Sequence, residues 1–260
     1  MRIWIKASIL TFIIALAILF LQIIFFIGGK EEGDKLSNTG TNKVSTEAKG
    51  INLLKDSLIM STIPENYSNF ALQLSTIYFE DGKYDSAARY KELVATRFPK
   101  EENWLSAGLM YYKAFEKASG KEKEYAMATK AIECLENGAS ANSTIEVKLT
   151  LAKLYSVKNE PEMGVRLLSK VLTEDSSNKE ALYLLGIYYF QLNKIEKASN
   201  YLETLVLLDS TNVSGLFNLA VCQIKLGNNT KAKVFFEKVK LLDSSEEVNS
   251  NADSYLNDIK

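Results

Sequence analysis

Leu151–Ser244 reads LAKLYSVKNEPEMGVRLLSKVLTEDSSNKEALYLLGIYYFQLNKIEKASNYLETLVLLDSTNVSGLFNLAVCQIKLGNNTKAKVFFEKVKLLDS, and it repeats itself every 34 residues. Leu151, Leu185 and Leu219 share one phase, as do Ala152, Gly186 and Ala220. Tyr155 and Tyr189 keep the step. So do Gly164, Ala198 and Ala232, then Leu168, Leu202 and Phe236, then Val171, Leu205 and Val239. Each unit closes on one phrase, at Asp175-Ser176, Asp209-Ser210 and Asp243-Ser244. A 34-residue period with small residues at two fixed places is the signature of a helix–turn–helix unit. One such unit cannot bury its own apolar face, so successive units must stack. The fold expected is an all-α solenoid of antiparallel helix pairs.

Three regular units follow from the phase, at Ile145–Asn178, Lys179–Asn212 and Val213–Glu246. Asn159, Asn193 and Gly227 fall at their tight turns, where residues tolerant of positive φ belong. Pro161 falls at the start of a second helix, where a missing N–H costs nothing. Upstream, Asn69 to Pro99 makes another unit, with Leu74 and Tyr78 on its first helix, Gly82 in the turn and Ala87 on its second helix. The next starts with Trp104, Ala107, Gly108 and Tyr111 and is longer by about ten residues, expected between its helices near Lys117–Glu124 as longer helices or a loop. Ile51–Met60 (INLLKDSLIM) places Ile51, Leu54 and Leu58 at helical spacing before Pro64, and reads as a cap or an incomplete first repeat. At the other end Val248, Ala252, Tyr255, Leu256 and Ile259 share one face backed by polar residues, the closing cap a solenoid needs. The solenoid is thus expected over 51–260, as about five repeats plus caps.

The amino terminus has a different character. Ala7–Ile27 (ASILTFIIALAILFLQIIFFI) runs for 21 residues without a charge, long enough to cross about 30 Å of hydrocarbon as a helix. Trp4 stands where an interfacial aromatic belongs, and Arg2 and Lys6 make a short basic tail. A cleaved signal peptide would carry a shorter apolar run and a small-residue cleavage site, and Ile27-Gly28-Gly29 is a poor one. Residues 1–29 are therefore expected to be an uncleaved, single-pass signal anchor, with the solenoid on the extracytoplasmic (periplasmic) side. Residues 30–50 (KEEGDKLSNTGTNKVSTEAKG) are polar and glycine-bearing, and are expected as a flexible linker.

Composition removes several functions. The net charge is −1, so no basic footprint points to nucleic acid. There is no histidine, which excludes His-based acid–base catalysis, Ser-His-Asp and Cys-His constellations and His metal ligands. Cys134 and Cys222 lie in different repeats, too far apart to bridge if each repeat touches only its neighbours. The acidic pairs Glu101-Glu102 and Glu246-Glu247 stand at repeat joints, where helix N-termini favour negative charge. Neither a Gly-rich phosphate loop nor a metal-spaced cluster occurs in the sequence. No cofactor and no enzymatic activity are expected.

These residues resemble the tetratricopeptide repeat family. Trp104-x-x-Ala107-Gly108-x-x-Tyr111 matches the first half of its pattern, and Leu182-x-x-Leu185-Gly186-x-x-Tyr189 followed by Ala198, Leu202 and Leu205 matches throughout apart from conservative swaps. The closing proline is kept only at Pro99; Ser176, Ser210 and Ser244 replace it elsewhere. The resemblance covers Asn69 to about Glu246. It implies protein binding through a concave surface lined by first helices. Carried over by position, the groove residues are Leu72, Thr76 and Phe79; Leu105, Leu109 and Tyr112; Leu149 and Lys153; Tyr183, Ile187 and Phe190; Phe217, Val221 and Ile224. Many of these could equally pack inside their repeats. The sharper reading makes Tyr183, Phe190 and Phe217 an aromatic groove for a peptide. One subclass of the family clamps a terminal carboxylate with Lys and Asn; here those places hold Thr76, Leu109, Ile187 and Val221, so no clamp is expected. The function expected is a membrane-anchored scaffold or assembly factor with a protein partner. The alternatives are a self-oligomerising structural module and, by architectural resemblance alone, an accessory of protein export or cytochrome c maturation.

Overall fold

A computed structural model describes residues 39–140 and 143–258, with side chains from Lys49 onward. The chain divides into two units, 1–52 and 53–260. Of the first, the described part is the helical stretch 39–52. The expected anchor, Ala7–Ile27, lies outside the described residues. Among those described, no helix is long and apolar enough to cross a membrane.

The described residues form twelve α-helices and no strand: α1 (Thr39–Met60), α2 (Pro64–Glu80), α3 (Tyr84–Arg97), α4 (Glu101–Glu116), α5 (Lys121–Gly138), α6 (Ile145–Val157), α7 (Pro161–Glu174), α8 (Lys179–Gln191), α9 (Ile195–Leu208), α10 (Val213–Lys225), α11 (Asn229–Leu242) and α12 (Glu246–Asp258). From α2 to α12 each helix packs on the next. Helices α4, α6, α8 and α10 also touch in succession, so the first helices of neighbouring repeats stand side by side. This is a solenoid of five helix pairs, α2/α3 to α10/α11, closed by α12.

The repeated residues mark both the turns and the core. Asn159 and Asn193 sit at φ of 58° and 55°, and Gly82 and Gly227 at 71° and 78°. The recurring Asp-Ser phrase supplies an Asx turn at each repeat joint. Asp175 accepts from the Ser177 amide (3.1 Å), Asp209 from the Thr211 amide (3.3 Å) and Asp243 from the Ser245 amide (2.9 Å). Hydrogen bonds hold all three carboxyls below their ordinary range, from the Ser177 and Asn178 side chains at Asp175, from the Lys179 ammonium and the Thr211 hydroxyl at Asp209, and from the Ser245 amide at Asp243. The next first helix is then capped: Asn178 accepts from the Ala181 amide and Asn212 from the Gly215 amide. Leu168, Leu202 and Phe236 are fully buried, as are Val171, Leu205 and Val239. The apolar phase of the sequence is therefore the seam between helices.

One expectation needs correction. Residues 39–50 belong to α1 rather than to a linker, so the helix starts twelve residues before Ile51. Of the two forms open to the extra residues of the long repeat, longer helices or a loop, the structure has the first, since the connection is only 117–120. They go chiefly into the helices, 16 residues in α4 and 18 in α5 against 13 and 14 in α6 and α7.

Candidate functional site

The face shared by α4, α6, α8 and α10 is the candidate site. A helix in the middle of a solenoid packs on its own partner and on both neighbouring repeats, so only one stripe stays free. On α4 that stripe carries Leu109 and Tyr112, both half-buried, with Leu105 beside them. On α6 it carries Lys153, while Leu149 is buried in the core and drops out of the groove. On α8 it carries Tyr183, Ile187 and Phe190, each half-buried against the clusters below.

Polar contacts tie the helices together across this face. Lys153 of α6 is ion-paired with Glu180 of α8. Tyr112 of α4 lies close enough for Lys153, Glu116 and Glu180 to act on it, although burial is the main reason its phenol is raised. Asn218 of α10 donates from Nδ2 to the Tyr183 hydroxyl at 3.4 Å and to the Ser214 carbonyl at 2.8 Å. The face is therefore apolar and aromatic with polar links at each helix crossing. Glu180 and Asn218 were not legible as site residues. The available signal was their position, Asn218 falling 35 residues after Tyr183 and next to Phe217.

Of the expected aromatic trio, Tyr183 and Phe190 pack against one core cluster and Phe217 against the next. Phe217 packs edge-on against Phe236 (5.2 Å) and Tyr255 of α12 (5.8 Å), and Tyr255 stacks on Phe236 at 5.4 Å. Val221 and Ile224 join the same cluster with Leu256. The closing helix thus takes up much of the α10 part of the groove, and the open face centres on α4, α6 and α8. On α2, Leu72 and Phe79 are exposed. Leu72 lines a shallow cleft of 410 Å³ with Asn69, Gln73 and Thr76, and Phe79 packs edge-on against Tyr84 at 5.4 Å.

Neither cysteine adds chemistry to the face. Cys134 on α5 and Cys222 on α10 are free and buried, and burial pushes their thiols up to about 12 and about 11. Among the described residues no cluster of His, Cys, Asp or Glu could hold a metal ion.

Comparison with known proteins agrees on the fold. A family model described as anaphase-promoting complex, cyclosome, subunit 3 matches residues 165–239, less than a third of the chain. A crystal structure of MamA protein is similar at 17% identity and a TM-score of 0.58, over 68% of this chain and 92% of that one. A second MamA crystal structure is similar at 18% identity and a TM-score of 0.57, over 68% and 97%. YrrB, described as a TPR protein with an unusual peptide-binding site, is similar at 14% identity and a TM-score of 0.55, over 80% and 97%. No curated protein matches the sequence. At these identities the likeness establishes the fold: a tetratricopeptide-type solenoid.

Proposed function

We propose that this chain is a protein-interaction scaffold that holds a peptide segment of a partner against the face of α4, α6 and α8. The observation that carries this is the run of half-buried Leu109, Tyr112, Tyr183, Ile187 and Phe190 along helices in mutual contact. Such side chains give a partner apolar area at low conformational cost. The peptide-binding site named for YrrB, on a fold of the same type, supports the same reading. Peptides selected from a displayed random library on the wild-type chain should bind at least about tenfold more weakly to a Tyr183→Ala, Phe190→Ala double variant, with helicity unchanged. Enrichment of no peptide, or equal binding by the variant, would count against the proposal. Self-association is the second reading; a mass independent of concentration in sedimentation would remove it.

The proposal includes the anchor. Ala7–Ile27 would hold the solenoid at a membrane, outside the cytoplasm. A Ser45→Cys variant in intact cells is expected to react with a thiol reagent that cannot cross the inner membrane. Cys134 and Cys222, buried and held protonated, should stay unlabelled until the chain is unfolded. Labelling of the introduced thiol only after lysis would reverse the orientation.

A further inference from the structure

Two repeats carry the same aromatic device in different surroundings. In the fourth, Tyr189 stacks on Tyr201 at 5.4 Å, with the Lys197 ammonium 5.5 Å from the Tyr189 ring centre. In the first, Tyr78 stacks on Tyr90 at 5.6 Å, with the Lys55 ammonium 5.7 Å from the Tyr78 ring centre. The preceding outer helix covers the pair in the fourth repeat: Leu172 of α7 packs into both clusters that hold Tyr189 and Tyr201. Around Tyr78 and Tyr90 the cover is incomplete. A cleft of 460 Å³ opens there, lined by Lys55, Leu58 and Ile59 of α1, by Tyr78, and by Arg89 and Leu93 of α3. Ile59 at its rim is 80% exposed, a high value for an isoleucine beside an open aromatic surface.

The charge of this cleft is one-sided. Lys55 and Arg89 are cations, and among the described residues neither forms an ion pair. The cleft lining contains no carboxylate. A cation over the Tyr78 ring and a second in the lining, with leucine and isoleucine beside the stacked tyrosines, complement a segment that alternates acidic and apolar side chains. We propose that the cleft between α1 and α3 is a second docking site, taking an acidic peptide segment of a partner whose apolar side chains lie on Tyr78, Tyr90 and Ile59. Its carboxylates then meet Lys55 and Arg89. The site is independent of the face of α4, α6 and α8.

The test uses the full chain in mild detergent and a short fluorescein-labelled peptide of alternating glutamate and phenylalanine. A peptide with lysine in place of glutamate is the control. Fluorescence polarisation should show binding of the acidic peptide only, weakened at about 0.5 M salt. A Lys55→Glu, Arg89→Glu double variant should bind it at least about tenfold more weakly. A Lys55→Gln, Arg89→Gln double variant should show a smaller loss, and it decides the matter if the charge reversal disturbs folding. Tyr183→Ala should leave affinity unchanged. No binding, equal binding of the lysine peptide, or full affinity in both charge variants would overturn the proposal. Loss of binding with Tyr183→Ala would place the peptide on the other face and would overturn it as well.

Discussion

Tyr188→Ala is expected to lower the stability of the solenoid by about 3–5 kcal/mol, more than any substitution on the candidate binding face. Tyr188 is 1% exposed and is among the largest fully buried side chains of the fold. It lies on α8, and its hydroxyl donates to the Ala152 carbonyl on α6 at 2.7 Å. Its ring occupies space left by Gly164 on α7: a Cβ built there would lie 2.5 Å from Cε2 of the ring. One side chain therefore joins three helices across a repeat joint. Truncation removes the apolar area, the hydrogen bond and the filler of the Gly164 notch together. Tyr188→Phe should lose only the hydrogen bond, about 0.5–1.5 kcal/mol. Because each repeat is stabilised by its neighbours, the alanine variant should also split the unfolding transition, with α8–α12 separating from the units before them. Thermal unfolding followed by helicity reads both effects. A single transition at the wild-type midpoint would show that Tyr188 does not hold the joint.

The contrast between Tyr188 and Tyr189 shows what was legible in the sequence. Tyr189 recurs in phase with Tyr155 and is read at once as part of the repeat. Tyr188 stands one residue away, where the other regular repeats carry Leu154 and Cys222. Its partner signal was the exchange of alanine for glycine at 164, where Ala198 and Ala232 hold the phase. Periodicity finds residues that do the same job in each repeat, and it is blind to a large–small exchange made once. The same limit applies to the site. The period puts Phe217 on a first helix, but its engagement by Tyr255 depends on where α12 comes to rest, which no repeat encodes. Residues 39–50 fail in the opposite sense. Two glycines, Asn42 and several Thr and Ser residues weaken the local helix preference, yet the segment is helical.

Gly108→Val is expected to be the most damaging substitution on the first-helix seam, by about 3 kcal/mol. The seam position holds Gly108, Ala152, Gly186 and Ala220 in successive repeats, so a methyl group is tolerated in two of them. At Gly186 the three atoms nearest an added Cβ all belong to the Leu202 side chain, its Cγ and Cδ atoms at 2.5 to 3.2 Å. A rotamer change there relieves the contact, and the gain in helix propensity over glycine, up to about 1 kcal/mol, offsets much of the cost. Gly186→Ala should therefore be close to neutral. At Gly108 a Cβ would lie 2.5 Å from Leu135 Cγ and 2.9 Å from the Leu135 backbone nitrogen. No side-chain rotation moves a backbone atom, so α4 and α5 must separate. Those are the two lengthened helices, and their joint buries Ala107, Tyr111, Ala131 and Leu135 in one cluster. Separation would also strain the hydrogen bond from the Tyr111 hydroxyl to Glu92 on α3, 2.5 Å long. Urea unfolding of Gly108→Val beside Gly186→Ala discriminates the two cases. Equal midpoints would mean that the close approach of α4 to α5 is not what glycine serves at position 108.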